Sequence, residues 1–281
     1  MFNQLTVLGP GLLGASIGMA ARQYSVVKGV QVWARRAETR QACEASEWCS
    51  STFDDPAEAV VGSDLVIVCT PVDRITEMVR EISPHLGEGA LVTDVGSTKS
   101  RLCRVSARIV PGFSAFVGSH PMAGSEKSGM DHARADLFLG RACLVTPTEE
   151  VSPKAVDRVV RFWRDLGMEV TSLSPEKHDE IVAHLSHLPH LLASLLSLQL
   201  SRAPATWKSL CGNGLRDTTR IAAGSPDIWR SIFEENREEL LRAMDGFEDE
   251  LARMRSHLQN GEWMRVRQLL EKGKAYREDL D

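Results

Sequence analysis

At 281 residues, with 43% hydrophobic and 25% charged residues, the chain has the size and composition of a soluble globular protein with one large domain or two ordinary ones. Its formal net charge of -5 and its lack of a basic tract argue against a nucleic-acid-binding protein. The six cysteines are scattered and form no C-x-x-C pair, which argues against a zinc knuckle or a disulfide framework. The sequence does not begin with the basic region and long apolar run of a secretory signal, so we expect a cytoplasmic protein.

A glycine-rich turn follows the first predicted strand. The apolar run 5–8 predicts a buried strand, and the motif G-x-G-x-x-G lies between this strand and a helix predicted from Ala15 to Arg22. Such a turn brings backbone amides and the positive end of a helix dipole to a pyrophosphate, although a tight strand-to-helix turn without a ligand has the same pattern. The residues expected to bind a dinucleotide here are Gly9, Gly11, Leu12, Leu13 and Gly14.

The end of the second predicted strand, residues 30–33, bears on the choice of cofactor. Sites for NAD usually place an acidic residue about 20 residues beyond the glycines, where it holds the ribose 2′-hydroxyl. This chain has Ala34, Arg35 and Arg36 at that point, and two arginines can accept a 2′-phosphate and stack on adenine. The alternative is a pair of solvated arginines at the start of a helix. We favour NADP over NAD, with Arg35 and Arg36 among the cofactor-binding residues.

Three later strands are predicted to end at residues that suit a ligand site. These strands are 64–69, 90–95 and 113–117. Thr70 and Pro71 follow the first, Ser97 follows the second and His120 follows the third, and ligands bind at the carboxyl ends of strands in open α/β sheets. A histidine in such a place can take up a proton near neutral pH. Ser97 has an alternative role as the N-cap of the next helix, and His120 as a side chain held by a backbone group.

Strands and helices alternate up to about residue 171, which predicts a Rossmann-type doubly wound α/β sheet followed by an all-α domain. The apolar run 181–200 is expected to be a buried helix rather than a membrane span, because it contains several histidines, and Pro189 is expected to break or kink it. On one helix, His184, His187 and His190 fan over about 120°, which fits a single metal ion poorly. We therefore predict no metal site, and instead that one or two histidines line a cleft for an anionic substrate.

Two arginines lie in the segment Gly212–Arg220, which is predicted to be a glycine-opened loop. Arginine is suited to bidentate capture of a carboxylate, so the segment is a candidate substrate contact. The alternative for Arg220 is a structural ion pair with Asp217.

A heptad stripe of apolar residues marks the carboxy-terminal helices. It comprises Phe233, Leu240, Met244, Phe247, Leu251, Met254 and Leu258. The seam could pack within the domain, but a long seam of this kind favours a homodimer formed through helices.

Together these motifs resemble the prephenate/arogenate dehydrogenase family of tyrosine biosynthesis over nearly the whole chain. The block H-P-M-A-G from His120 and the block S-H-L-P-H from Ser186 are more specific than the glycine motif. Further matching blocks are D-V-G-S-T-K at 94–99 and R-D-T-T-R-I-A at 216–222. The resemblance implies a Rossmann-type domain at 1–171, a helical substrate and dimerisation domain at 172–281, and the oxidative decarboxylation of prephenate or arogenate.

The resemblance also implies roles for single residues. His120 would be the base that takes the proton of the substrate's C4 hydroxyl, Ser97 would orient both groups, and Arg220 would hold a carboxylate. His190 would contact the substrate side chain, which favours prephenate over arogenate. Further substrate contacts are expected at Ser125, His178 and His187.

Two other classes of protein remain as alternatives. Other Rossmann oxidoreductases, of the β-hydroxyacid or imine-reducing kind, place a lysine or an aspartate on the first helix after the sheet, where this chain has histidines. A non-catalytic NADP sensor would need neither His120 nor Arg220 in a shared cleft.

Overall fold

The computed structural model describes residues 2–123 and 129–280, and within them eight strands form one sheet. The strands are β1 (Phe2–Leu8), β2 (Val27–Trp33), β3 (Ser51–Phe53), β4 (Leu65–Val68), β5 (Leu91–Asp94), β6 (Ala115–Pro121), β7 (Ala142–Thr146) and β8 (Glu169–Ser172). Their order is β3-β2-β1-β4-β5-β6-β7-β8, and all neighbours are parallel except β6 and β7. The predicted Rossmann-type sheet is confirmed. Its strand order reverses between β1 and β4, which is where such sheets bind ligands.

Helices on both faces explain why the central strands are continuously apolar. These helices are α1 (Leu12–Gln23), α2 (Ala37–Glu44), α3 (Pro56–Ala59), α4 (Val72–Ile82), α5 (Ser100–Ile109) and α6 (Pro153–Asp165). In β4, Leu65 and Ile67 belong to the core that contains Phe162 of α6, whereas Val66 and Val68 belong to the core that contains α4. Successive side chains of a strand point to opposite faces, so a strand covered on both sides has no polar face to show.

Two details of the sheet differ from the sequence-based expectation. The short strand β3 was not predicted, because Ser51–Phe53 has too few residues to show a period. The strand predicted at 113–117 begins at Ala115 and runs on to Pro121, so His120 lies within β6 and pairs with Leu144 of β7. Pro121 ends the strand, as its lack of an amide hydrogen leads one to expect.

The rest of the chain is helical, as predicted. Its helices are α7 (Pro175–Val182), α8 (Leu188–Ser201), α9 (Asn213–Thr219), α10 (Pro226–Glu235), α11 (Arg237–Gln259) and α12 (Trp263–Glu278). Of the two outcomes expected at Pro189, a break or a kink, the break does not occur, because a π-helical turn at Ala183–His187 joins α7 to α8. A widened turn relieves the clash of a proline ring with the carbonyl four residues before it.

The predicted loop at 212–220 is instead largely the helix α9, followed by a 3₁₀ turn at Arg220–Ala223. Glycine costs a helix interior about 1 kcal/mol relative to alanine, but Gly212 is the N-cap and therefore lies outside the interior.

One helical stretch among the described residues, Pro175–Ser201, is apolar and long enough to cross a membrane by those two criteria alone, and 33% of its apolar window is buried. The core helix of a soluble protein meets the same criteria. Leu185, Leu195 and Leu198 are exposed, so the prediction of a buried helix is only partly correct.

By compactness the chain divides into two units, residues 1–236 and 237–281. In the second unit α11 packs against α12. Within α11, the heptad residues Phe247, Leu251 and Leu258 are exposed. The unit therefore presents an apolar stripe that its own two helices do not cover.

Candidate active site

The glycine turn between β1 and α1 has the geometry that a bound dinucleotide requires. Gly9 has a φ of +101°, a region that favours glycine, and a Cβ at Gly14 would overlap the carbonyl oxygen of Gly9. Gly11 is the N-cap of α1, and a Cβ built on it meets nothing within 4 Å. Open space at the amino end of a helix is where backbone amides receive a phosphate.

A cleft of about 1060 Å³ opens beside this turn. Its wall includes Gly9, Gly11, Arg35, Arg36, Thr70 and Pro71. The hydroxyl of Thr70 is buried and has no hydrogen-bond partner among the described residues. Buried polar groups are normally hydrogen-bonded, so the unpaired hydroxyl is evidence that a ligand binds in the cleft. The volume, the open Gly11 and the unpartnered Thr70 together fit a nicotinamide dinucleotide.

The end of β2 has no acidic side chain at the place where one would hold a ribose. Ala34 is buried there, and Arg35 and Arg36 are exposed in the wall of the cleft. Arg40 donates from Nη1 to the carbonyl oxygens of Ala34, at 2.8 Å, and Arg35, at 3.2 Å, and so fixes this backbone. The cleft therefore presents two guanidinium groups on a braced turn.

His120 lies at the carboxyl end of β6 and is only 8% exposed. Its Nδ1 is 2.9 Å from Nε2 of His178, and Nδ1 of His178 is 2.8 Å from Oδ1 of Asp179. A continuous hydrogen-bonded chain thus runs from the sheet to α7. The sheet register places β6 two strands from β4, so His120 lies roughly 10 Å from the cleft wall at Thr70.

Asp179 also closes the start of α5. Its two carboxylate oxygens accept from the backbone amides of Lys99 and Ser100, each at 2.8 Å. The alternative role of Ser97, as the N-cap of α5, is wrong. The carboxylate of Asp179, which lies on α7, accepts the hydrogen bonds of the amides at the start of α5 instead. Ser97 is half-buried in the turn between β5 and α5.

A buried ion pair braces the turn that carries Ser97. Nζ of Lys99 lies 2.6 Å from Oδ2 of Asp94 and also donates to the carbonyl oxygen of Gly96. The other oxygen of Asp94 accepts from the backbone amide of Ser119, the residue before His120. The pair therefore ties the turn after β5 to β6.

The remaining histidines differ in exposure. His184 is exposed, whereas His187 and His190 are buried. Nδ1 of His187 lies 3.1 Å from Nδ2 of Asn236, while Nε2 of His187 and Nδ1 of His190 are buried without a partner among the described residues. His190 also stacks on Trp229, with ring centroids 3.5 Å apart. These unpartnered nitrogens are available to a polar ligand.

Arg220 is exposed and begins the 3₁₀ turn that packs against α8. At the end of this turn, a Cβ on Gly224 would lie 3.3 Å from Cε1 of His190. The turn that carries Arg220 is therefore a neighbour of His190. Ser125, another predicted substrate contact, lies outside the described residues.

The protonation states follow from burial and from these contacts. Burial lowers the pKa of His120 well below 6.5, and His178, Lys99 and His187 lower it further. Burial also lowers the pKa of His178, against the opposing effect of Asp179. Burial would raise the pKa of Asp179, but hydrogen bonds from His178 and from the start of α5 outweigh it and leave that pKa lowered. At neutral pH both histidines are neutral and Asp179 is ionised.

No group of three or more histidine, cysteine, aspartate or glutamate side chains in residues 2–123 and 129–280 is arranged to hold a metal ion. His178 and His187 make hydrogen bonds to protein groups instead. His120, His178 and His187 thus make hydrogen bonds within the protein, whereas His190 stacks on Trp229.

Comparison with known families shows which family the chain belongs to. A model described as prephenate dehydrogenase, nucleotide-binding domain, matches residues 17–172, and one described as prephenate dehydrogenase, dimerization domain, matches residues 174–272. The chain belongs to the prephenate dehydrogenase family. The resemblance stated from the motifs is confirmed, and so is the prediction of a nicotinamide-dependent oxidoreductase.

Individual relatives agree with this membership. The chain is 30% identical to a prephenate dehydrogenase of Bacillus subtilis, over 100% of the chain and 76% of the relative. It is 29% identical to a cyclohexadienyl dehydrogenase of Zymomonas mobilis, over 94% of the chain and 92% of the relative.

Solved structures show the same fold. A prephenate dehydrogenase from A. aeolicus, in complex with hydroxyphenyl propionate and NAD+, matches with a TM-score of 0.93 and 28% identity, over 100% of this chain and 99% of that one. A Synechocystis arogenate dehydrogenase matches with a TM-score of 0.85 and 25% identity, over 99% of this chain and 100% of that one.

Sequence reasoning missed three polar residues around the family's H-P-M-A-G histidine. Asp179 carries no local signal, because its partners lie some 80 positions earlier in the chain. Asn236 likewise reaches His187 and Asp179 only through the fold. Lys99 could have been found, since it closes the D-V-G-S-T-K block five residues after Asp94.

Proposed function

We propose that the protein is a prephenate dehydrogenase that converts prephenate to 4-hydroxyphenylpyruvate and CO₂ in tyrosine biosynthesis, with NADP+ as the favoured cofactor. The observation that carries the proposal is the placement of His120, which is buried, neutral and held at the carboxyl end of β6, two strands from the strand that precedes Thr70 of the dinucleotide cleft. The names of the B. subtilis and A. aeolicus proteins support this substrate.

The chemistry needs one base and accurate positioning. We assign to Nε2 of His120 the removal of the proton from the C4 hydroxyl, with Ser97 orienting both groups. A bound nicotinamide would supply the chemistry of a hydride acceptor for C4, while the ring carboxylate leaves as CO₂. Loss of CO₂ restores aromaticity and drives the reaction. The base contributes about 10²–10⁴ in rate, and positioning several kcal/mol more.

Substrate contacts come from the helical part of the chain. Arg220 holds a carboxylate, for which its planar guanidinium is suited. The unpartnered nitrogens of His187 and His190 supply further polar contacts, and His190 favours the pyruvyl side chain of prephenate. His178 is not a substrate contact in this scheme, because both of its ring nitrogens already have protein partners.

The cofactor preference rests on the end of β2. Arg35 and Arg36 can pair with a 2′-phosphate, and Ala34 cannot accept a hydrogen bond from a 2′-hydroxyl. The complex of the A. aeolicus relative contains NAD+, so the proposed preference for NADP+ rests on Arg35 and Arg36 of this chain.

The domain roles follow from the family models, which meet near residue 173. We assign cofactor binding to residues 1–171, and substrate binding and homodimer formation to residues 172–281. The exposed heptad stripe of α11 supports a helix-mediated homodimer. We place the enzyme in the cytoplasm, in line with its six free cysteines, which fit a reducing compartment.

The proposal is tested by absorbance at 340 nm with prephenate and arogenate, each with NADP+ and with NAD+. We expect reduction with prephenate and NADP+ at the highest kcat/KM. Turnover of arogenate at an equal or higher rate would instead make the protein a cyclohexadienyl or arogenate dehydrogenase. NADP+ binding without turnover of either substrate would indicate a nucleotide sensor and would overturn the proposal.

A further inference from the structure

The hydrogen-bonded chain behind His120 determines which nitrogen of each ring carries a proton. The ionised carboxylate of Asp179 can only accept, so Nδ1 of His178 must be the donor in their 2.8 Å contact. A neutral imidazole has one N–H, so Nε2 of His178 is left bare and becomes an acceptor. Nδ1 of His120, at 2.9 Å, must then donate to it.

The position of this proton determines the state of the other ring nitrogen of His120, Nε2. With its proton on Nδ1, neutral His120 has a bare Nε2, the ring nitrogen that does not face His178. Nε2 is thus in the form that can take a proton. The opposite tautomer would carry a hydrogen there and would be unable to act as a base.

We propose that His178 and Asp179 are positioning residues that lock His120 in the tautomer whose Nε2 is bare. The inference rests on the proposed function for its kinetic consequence, but the tautomers themselves are a property of the protein alone. Neither positioning residue touches the substrate in this scheme.

The relay formed by His120, His178 and Asp179 is held in place at Asp179 by further hydrogen bonds. Asp179 accepts from the amides of Lys99 and Ser100, and its own carbonyl oxygen accepts from Nδ2 of Asn236 at 2.9 Å. His178 is completely buried. The His178 ring is hydrogen-bonded at both nitrogens and excluded from water, so a change to its other tautomer would break two hydrogen bonds.

Other charged or titratable groups also face His120 and belong in any interpretation of its pH behaviour. Asp94 ends β5, Lys99 lies in the turn after it, His187 lies on the π-helical turn, and Cys143 lies on β7. His178, Lys99 and His187 all oppose a positive charge on His120.

The first test reads the tautomers directly in the unchanged protein. Long-range ¹H–¹⁵N NMR spectra of protein labelled with ¹⁵N-histidine report which ring nitrogen carries the hydrogen. We expect Nδ1–H for both His120 and His178 at neutral pH, with assignment by single substitution. Nε2–H on His120 would overturn the proposal, whether or not the protein turns over prephenate.

The second test removes the acceptor with His178→Phe, which keeps a ring of similar size but has no nitrogen. The proton of His120 should then move to Nε2, since a buried Nδ1–H would lack a partner. We expect kcat to fall by about 10²–10⁴, as when a base histidine takes the wrong tautomer, with little change in the affinity for NADP+.

The matched control is Ser174→Ala, which removes the side-chain cap of α7 without touching the relay. It should keep the kcat of the unchanged enzyme. Equal kcat values for His178→Phe and Ser174→Ala would overturn the relay while leaving the proposed function intact. If the unchanged enzyme turned over neither substrate, the proposed function would fail, and the NMR measurement would still decide the tautomers.

Discussion

The ammonium group of Lys99 lies 2.6 Å from a carboxylate oxygen of Asp94, and neither side chain is accessible to solvent. Backbone groups on both sides satisfy the pair, through the carbonyl oxygen of Gly96 and the amide of Ser119. A buried pair is costly to desolvate, and its remaining hydrogen bonds decide whether it is tolerated. Here those bonds join the turn that carries Ser97 to the strand that carries His120.

Lys99→Met should destabilise the fold by about 3–5 kcal/mol, because it leaves a buried carboxylate without its counter-ion. Denaturant unfolding measures this loss. The double variant Asp94→Asn with Lys99→Met should be less destabilised than Lys99→Met alone, since it buries no charge. The control is Lys274→Met, which removes an exposed pair with Glu278 and should cost about 0–1 kcal/mol. If the free energy of unfolding fell no more in Lys99→Met than in the control, the Lys99–Asp94 pair would not be needed for the stability of the fold.

The sheet was largely predictable, because β1, β4 and β5 each contain a short run of mainly apolar residues, and a glycine or a proline follows each strand within three residues. The direction of β7 was not predictable. An apolar run such as Ala142–Thr146 has the same pattern in a parallel and an antiparallel pair, and the direction depends on the connection after His120. The continuity of the helix through Pro189 was not predictable either, since nothing in the sequence marks a π-helical turn.

The site was predictable in part. His120 and Ser97 stand out because each follows a strand predicted from the sequence, and this local pattern is enough to place both at the carboxyl ends of strands in one sheet. The relay through His178 and Asp179 was not visible, since histidine and aspartate at the start of a helix are common and solvated in most proteins. Only the packing of α7 against α5 brings these side chains to His120.

Arg35→Ala and Arg36→Ala test the cofactor preference. A lost hydrogen bond from a charged donor costs about 1.5–3 kcal/mol, so the KM for NADP+ should rise roughly 10- to 100-fold in at least one variant. The KM for NAD+ should change little. The control Arg74→Ala removes another arginine of the cleft wall, one that pairs with Glu77 at 3.0 Å, and should affect both cofactors alike. If the KM values for NADP+ and NAD+ rose equally in the Arg35 and Arg36 variants, the two arginines would not recognise the 2′-phosphate, which would argue for NAD+.

His187 should make the fold sensitive to mild acid. Burial lowers its pKa to about 4 from 6.5, so between these pH values the unfolded chain binds a proton that the folded protein does not. Stability that is complete above pH 6.5 should therefore be lost as the pH falls to 4, by up to about 3 kcal/mol from this residue. Unfolding free energies measured over this range should show a shallower slope for His187→Gln than for the unchanged protein. The exposed His184→Gln should keep the original slope, and an unchanged slope in His187→Gln would refute the assignment.

The exposed stripe of α11 should be required for the homodimer. A charge buried in an apolar interface is unfavourable, and a two-fold interface contains each substitution twice. Phe247→Asp and Leu251→Asp should give monomers in sedimentation experiments at concentrations where the unchanged protein is dimeric. Val61→Asp, at an exposed apolar position outside the stripe, should remain dimeric. Dimers of unchanged affinity in the stripe variants would place the interface elsewhere.

The substitution His120→Asn tests the central claim most directly, with turnover of prephenate and binding of NADP+ measured on the same preparation. The account predicts that kcat falls by about 10²–10⁴ while the affinity for NADP+ stays unchanged, because the base is lost and the cofactor cleft is not altered. The exposed His184→Asn should retain full activity. Turnover by His120→Asn close to that of the unchanged enzyme would show that His120 is not the base.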